Sequence, residues 1–122
     1  MAGTLTIDTL KASSGVLATQ NGMTGIAKAW VNFEGSTGVI SSSYNVSSVS
    51  INGTGQYTIN FTTALPNGNY AFSGSSVRTG STIILTVGPN GTTTTTALPI
   101  RTQEYDSTLG TAGRTSIIVL SS

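Results

Sequence analysis

The sequence predicts an all-β domain, an antiparallel β-sandwich or barrel preceded by an N-terminal extended arm, on three observations. Turn signals built from Gly, Pro and Asn recur about every ten residues. Between them apolar and polar residues alternate, the period of a half-buried strand. Ser, Thr and 15 Gly dominate the composition, and long runs of helix-forming Ala, Leu, Glu, Lys and Gln are absent. The 122 residues fit one domain. A domain of that size buries roughly two-thirds of its unfolded surface, enough for one modest core.

Thr4-Leu5-Thr6-Ile7-Asp8-Thr9-Leu10 alternates at Leu5 and Ile7 and reads as a strand or extended arm, followed by a turn at residues 11–15. Residues 16–26 carry Gly22 and Gly25 with weak periodicity and read as a linker with room for a short helix. The division is therefore an arm and linker over residues 1–26 and a β domain over residues 27–122. In the first strand Ala27, Ala29, Val31 and Phe33 share the inner face. Lys28, Trp30, Asn32 and Glu34 share the outer one, which leaves Trp30 half-exposed. Tyr44 and Val46 share one parity while Val49 and Ile51 share the other, so a bulge or break is expected near Ser47-Ser48. Asn52-Gly53-Thr54-Gly55 is a hairpin signal, because Asn and Gly adopt positive φ at low cost, and Tyr57, Ile59 and Phe61 alternate on the return strand.

Leu65-Pro66-Asn67-Gly68 forms the next turn, after which Tyr70 and Phe72 alternate. Residues 82–87 form an apolar run expected as a central strand, closed by Gly88-Pro89-Asn90-Gly91. The five threonines of residues 92–96 are β-branched and favour a strand. Residues 106–114 read as a long mobile loop, and residues 115–120 as a last strand buried on both faces. The expected core includes Val31, Phe33, Ile59, Phe61, Phe72, Leu85 and Val119.

Charge and chemistry bound the function. Five basic and four acidic side chains give a net charge of +1, which provides no electrostatic footprint for nucleic acid or an anionic membrane. So little charge gives little self-repulsion and permits close packing of copies. There is no Cys and no His, so disulfides, thiolate chemistry, the usual general base and the commonest metal ligand are all missing. The N-terminus lacks the pattern of a secretory signal, and no apolar stretch reaches the ~20 residues of a membrane-spanning helix. The expectation is a protein made in a cytoplasm and soluble there, without membrane insertion.

Glu104 and Asp106 share parity, and paired carboxylates can cleave glycosides or bind Ca²⁺. Hydrolysis needs one carboxyl held protonated in an apolar pocket, which nothing in the pattern predicts, so solvated acids at a loop edge are the plainer reading. Asp8 and Glu34 are lone surface acids. No phosphate cradle, Ser-His-Asp set or Ser-x-x-Lys occurs. The Asn-x-Ser/Thr triplets at Asn45, Asn52, Asn60 and Asn90 are explained by a sequence rich in Ser and Thr. The reading is a non-enzyme with no catalytic residue, metal site or cofactor. Trp30, Tyr44, Tyr57, Tyr70 and Tyr105 remain as amphipathic aromatics, suited to stacking on sugars, to anchoring a subunit interface or to ordinary packing. Trp30, on the exposed parity, is the candidate surface contact.

Ala27-Lys28-Ala29-Trp30-Val31-Asn32-Phe33, Tyr44-Asn45-Val46-Ser47-Ser48-Val49 and Gly53-Thr54-Gly55-Gln56-Tyr57-Thr58-Ile59-Asn60-Phe61-Thr62, completed by Pro66 and Asn69-Tyr70-Ala71, carry a resemblance. This pattern resembles a module of tail-fibre-like structural proteins of aquatic tailed bacteriophages, cyanophages among them. The resemblance covers about residues 27–76 well and the rest loosely; the opening residues 4–10 resemble the arm by which such proteins attach to the particle. It implies a virion protein, either a homotrimeric tail-fibre or tail-tip component that contacts the host surface, or a capsid decoration (cement) protein. The long shaft or large tip of many fibre proteins does not appear in these 122 residues, which brings the cement reading forward. The family supplies no catalytic residue. Implied partners are further copies of the chain, other virion proteins and a host-surface glycan, with no nucleic acid. Leu5, Ile7, Leu10, Val16 and Leu17 are the candidate assembly contacts, because one short apolar strand cannot satisfy its own backbone and must pair with something. That partner is a neighbouring copy, another virion protein or the chain's own last strand.

Overall fold

A computed structural model of the chain describes Gly3 and residues 27–121. Among these residues there are eight strands and no helix: β1 (Ala27–Glu34), β2 (Val39–Tyr44), β3 (Val46–Gly53), β4 (Gln56–Phe61), β5 (Ala71–Arg78), β6 (Ile84–Pro89), β7 (Ala97–Gln103) and β8 (Ala112–Leu120). They form one antiparallel sheet in the order β2-β1-β8-β5-β6-β7-β4-β3, rolled so that its end strands β2 and β3 come back into contact. The result is a nearly closed barrel. β6 is the strand that turns the sheet: its start pairs with β5 through Leu85 and Ile84, and its remainder, from Thr86 to Pro89, pairs with β7.

The interior is filled by alternate residues of the longer strands. Ala29, Val31 and Phe33 of β1 face Tyr57 and Ile59 of β4, Leu98 and Ile100 of β7, and Ile117 and Val119 of β8, with Leu85 and Leu65 filling in. Phe33 meets Tyr57 edge to face at 5.5 Å, and Phe61 meets Tyr70 at 6.0 Å in the same geometry. The expected core residues are buried, apart from Phe72, which packs against the core at its margin. Two buried side-chain hydrogen bonds add to the ladder, one between the non-adjacent strands β4 and β8 and one between the paired strands β5 and β8. The Tyr57 hydroxyl accepts the Ala112 N–H at 3.0 Å, and Ser76 and Thr115 join hydroxyls at 2.8 Å.

The turns follow the chemistry of their residues. β3 and β4 form the expected hairpin, with Gly55 at φ 66. A Cβ there would sit 2.8 Å from the carbonyl oxygens of Thr102 and Gly110, so the position needs glycine for space as well as for φ. The break expected near Ser47-Ser48 is present in two parts. Asn45 adopts φ 56 between β2 and β3, and the register slips between Val46 and Ser48. The Asn45 side chain pins this corner, donating to the Lys28 and Thr63 carbonyls and accepting the Thr63 N–H at 2.7 Å.

Several expectations are corrected. Residues 92–96 are not a strand: their carbonyls and hydroxyls serve neighbouring loops, accepting from Leu65 N–H and Phe61 N–H and donating from Thr93 to Gly68. The strand lies just beyond, at β7, with Leu98, Ile100 and Thr102 inward. The apolar run at residues 82–87 does supply a central strand, β6 between β5 and β7, but starting two residues later at Ile84; Ile83 and Ile84 face solvent and Leu85 is fully inside. The loop expected over residues 106–114 is shorter, because a turn at residues 104–107 and a bridge from Gln103 to Leu109 lead into β8 at Ala112. Lys28 does not lie on the exposed face: a bulge between Ala27 and Ala29 turns it inward, and it is completely buried. The arm and linker over residues 1–26, with Leu5, Ile7, Leu10, Val16 and Leu17, lie outside the described residues, so the division at residue 26 rests on the sequence.

Candidate functional site

The last strand departs most from expectation, and the departure creates the site. β8 is buried on one face only: Thr115, Ile117 and Val119 point inward, while Arg114, Ser116, Ile118 and Leu120 point out. Ile118 and Leu120 are 43% and 44% exposed, a large fraction for aliphatic side chains in the middle of a sheet. β8 lies between β1 and β5, so its outward residues sit in rows with theirs. Tyr44, Trp30, Ile118 and Ser73 form one row across β2, β1, β8 and β5. Ser42, Asn32, Ser116 and Ser75 form the next. Leu120 pairs with Ala71 beyond the first row. Directly opposed side chains on a sheet lie ~5 Å apart, so each row is a continuous surface.

An open groove of about 490 Å³ runs between these rows, bounded by Trp30, Asn32, Ser73, Ser75, Ser116 and Ile118. The small residues of β5 make it. Ser73 and Ser75 fill little space, and between them a Cβ at Gly74 would sit 2.8 Å from the backbone carbonyl oxygen of Ser116 as well as against Ile117 Cδ1, so the position resists any larger residue. No charged side chain lines the groove. Asn32 donates to the Ser116 Oγ at 2.8 Å, while its own Oδ1 is buried without a hydrogen-bond partner. Trp30 is 38% exposed, so the expectation of a half-exposed Trp holds, and Tyr44 stands beside it at similar exposure.

The other candidate residues do not form a site. Glu104 is bound by Arg78 at 2.6 Å. Asp106 accepts the hydroxyl of Thr108 at 2.6 Å and its N–H at 3.1 Å, bonds that hold its carboxyl below the usual carboxylate range. Each acid is thus engaged by its own partner. Among the described residues no cluster of three or more His, Cys, Asp or Glu side chains occurs. Tyr70 is a packing residue: its hydroxyl donates toward the Ala97 and Thr94 carbonyls, and burial pushes its phenol up to about 12. Tyr57 lies inside the barrel, and Tyr105 stands almost fully exposed on its turn, away from the other aromatics. Asn52 and Asn60, two of the four triplet asparagines, bond to the Thr58, Ser48 and Ser50 hydroxyls along β3 and β4.

The expectation that residues 115–120 are buried on both faces is corrected by the outward Ile118 and Leu120. A signal was present: they share parity with Arg114 and Ser116, and those two polar residues mark the solvent side. No protein-family model, curated protein or solved structure matches the chain.

Proposed function

We propose that the chain is a non-catalytic structural protein of a tailed bacteriophage particle, a subunit of a homotrimeric tail fibre or tail tip whose barrel meets the host surface. Assembly in this reading falls to the N-terminal residues Leu5, Ile7, Leu10, Val16 and Leu17, and outward contact to the face around Trp30. The observation that carries the reading is the outer face of β2, β1, β8 and β5. Trp30, Tyr44, Ile118 and Leu120, each more than a third exposed, gather on that face. Contiguous exposed apolar side chains of this size mark contact surfaces in soluble proteins. The resemblance of residues 27–76 to tail-fibre-like modules supplies the particle; the barrel and its face supply the contact.

The test is localisation on purified particles with a gold-labelled antibody against the barrel. Label at the distal tail supports the reading. Label distributed over the head replaces it with the cement function, in which the same face clamps shell subunits. Particles that carry no label defeat both.

A further inference from the structure

We infer that the groove between Trp30 and Ser75 is a binding site for a neutral saccharide; this deepens the host-contact reading above and rests on it. The occupant follows from the lining. A sugar ring has a face of C–H groups and a rim of hydroxyls, and it binds where an aromatic or aliphatic platform lies beside uncharged hydrogen-bonding groups. Here the platform is Trp30 with Ile118, paired across β1 and β8. The rim is Asn32, Ser73, Ser75 and Ser116 on the adjacent positions of three strands.

The hydrogen-bonding state of that rim is specific. Asn32 donates into the Ser116 Oγ, which leaves the Ser116 hydroxyl proton directed elsewhere. Asn32 Oδ1 is enclosed and does not face the groove, so the hydroxyls of Ser73, Ser75 and Ser116, which can each donate and accept, carry the polar contacts. A hydroxyl-rich ligand supplies both donors and acceptors to such a rim, whereas an apolar protein surface supplies neither. The absence of charge in the lining disfavours acidic sugars, phosphates and ionic peptide segments, which would lose their hydration there without a counter-charge. The volume of about 490 Å³ is in the range of small-molecule sites and accommodates a short oligosaccharide stretch lying across the strands. The open, sheet-built shape leaves both ends of such a stretch free to continue.

Trp30 is the single tryptophan of the chain, so its fluorescence reports the groove directly. The experiment titrates the full-length protein with cellohexaose, maltohexaose and mannohexaose, with oligogalacturonate as the acidic control. The inference expects a saturable change in Trp30 emission with at least one neutral saccharide and none with the acidic one. Calorimetry should then show at least a tenfold loss of affinity in Trp30→Ala and in Ser75→Arg, which fills the groove from an exposed position, and retention of binding in Trp30→Phe. The circular dichroism spectrum of each variant checks that the barrel is intact. Two results overturn the inference: no saturable response to any of the three neutral saccharides, or binding that Ser75→Arg leaves unchanged. An emission change that depends on protein concentration alone, and is suppressed by Ser75→Arg, overturns it too, because the face would then be covered by a second copy. None of these results alters where the protein lies on the particle, so failure of the saccharide site and failure of the virion reading are told apart.

Discussion

Replacing Tyr57 with Phe removes one oxygen from the centre of the barrel and tests how its two halves are joined. Tyr57 sits on β4, and its hydroxyl accepts the N–H of Ala112, the first residue of β8, at 3.0 Å. The two residues are 1% and 0% exposed. Phenylalanine keeps the ring, and with it the edge-to-face contact to Phe33, so the packing contribution is nearly unchanged. What is lost is the acceptor, and a buried N–H left without one costs ~1–3 kcal/mol. Taking about 2 kcal/mol, and a shift of roughly 4 °C per kcal/mol for a domain of this size, the melting temperature should fall by about 8 °C. Urea unfolding should show a lower midpoint with an unchanged slope, because the surface exposed on unfolding stays the same. Hydrogen exchange should report a faster Ala112 amide. A loss below about 0.5 kcal/mol, with the Ala112 amide exchanging as slowly as before, would refute the reasoning: the hydroxyl would not be the acceptor that ties β4 to β8.

Three further outcomes follow from the same structure. Gly55→Ala should destabilise by at least about 2 kcal/mol, since φ of 66 costs a non-glycine residue ~1–2 kcal/mol and the new Cβ meets two backbone carbonyls at 2.8 Å; a near-neutral result in chemical denaturation would contradict this. Spectrophotometric titration should show a tyrosine that stays protonated to about pH 12 and is missing in Tyr70→Phe. Because folding raises that phenol above its ordinary value of 10.0, its contribution to stability is present below pH 10 and fades as pH rises toward 12, so the stability of the wild type should decline across that window more steeply than that of the variant. Chelation with EDTA should leave the melting temperature unchanged, given that Glu104 is held by Arg78 and Asp106 by Thr108; a sharp fall would reveal a Ca²⁺ site at those acids.

The parts of the fold legible in the sequence are those governed by short-range rules. Asn52-Gly53-Thr54-Gly55 marked a hairpin because few residues adopt its backbone angles, and the parity of Ala29, Val31 and Phe33 marked an inner face because one side of that strand is dry. What failed depended on long-range arrangement. The exposure of Ile118 and Leu120 depends on which strands flank β8 and which face they leave open; inside the apolar run itself nothing marks it, and the parity shows only through the polar Arg114 and Ser116 just before the run. β7 was obscured by Pro99 and by the threonines before it, although Leu98, Ile100 and Thr102 alternate cleanly. Simple alternation places Lys28 outward, and a one-residue bulge reverses it. Of the candidate site, Trp30 was legible from its parity. The serines of β5 and β8 were not, because a groove is a relation between strands.

The position of the barrel on the particle is decided by imaging the intact particle at a resolution that places it. The expected image has three barrels grouped at the distal tail, with Trp30, Ile118 and the Ser73–Ser75 rim directed outward to the host. Barrels seated on the head with that face pressed against shell subunits, or a particle lacking the protein altogether, would contradict it.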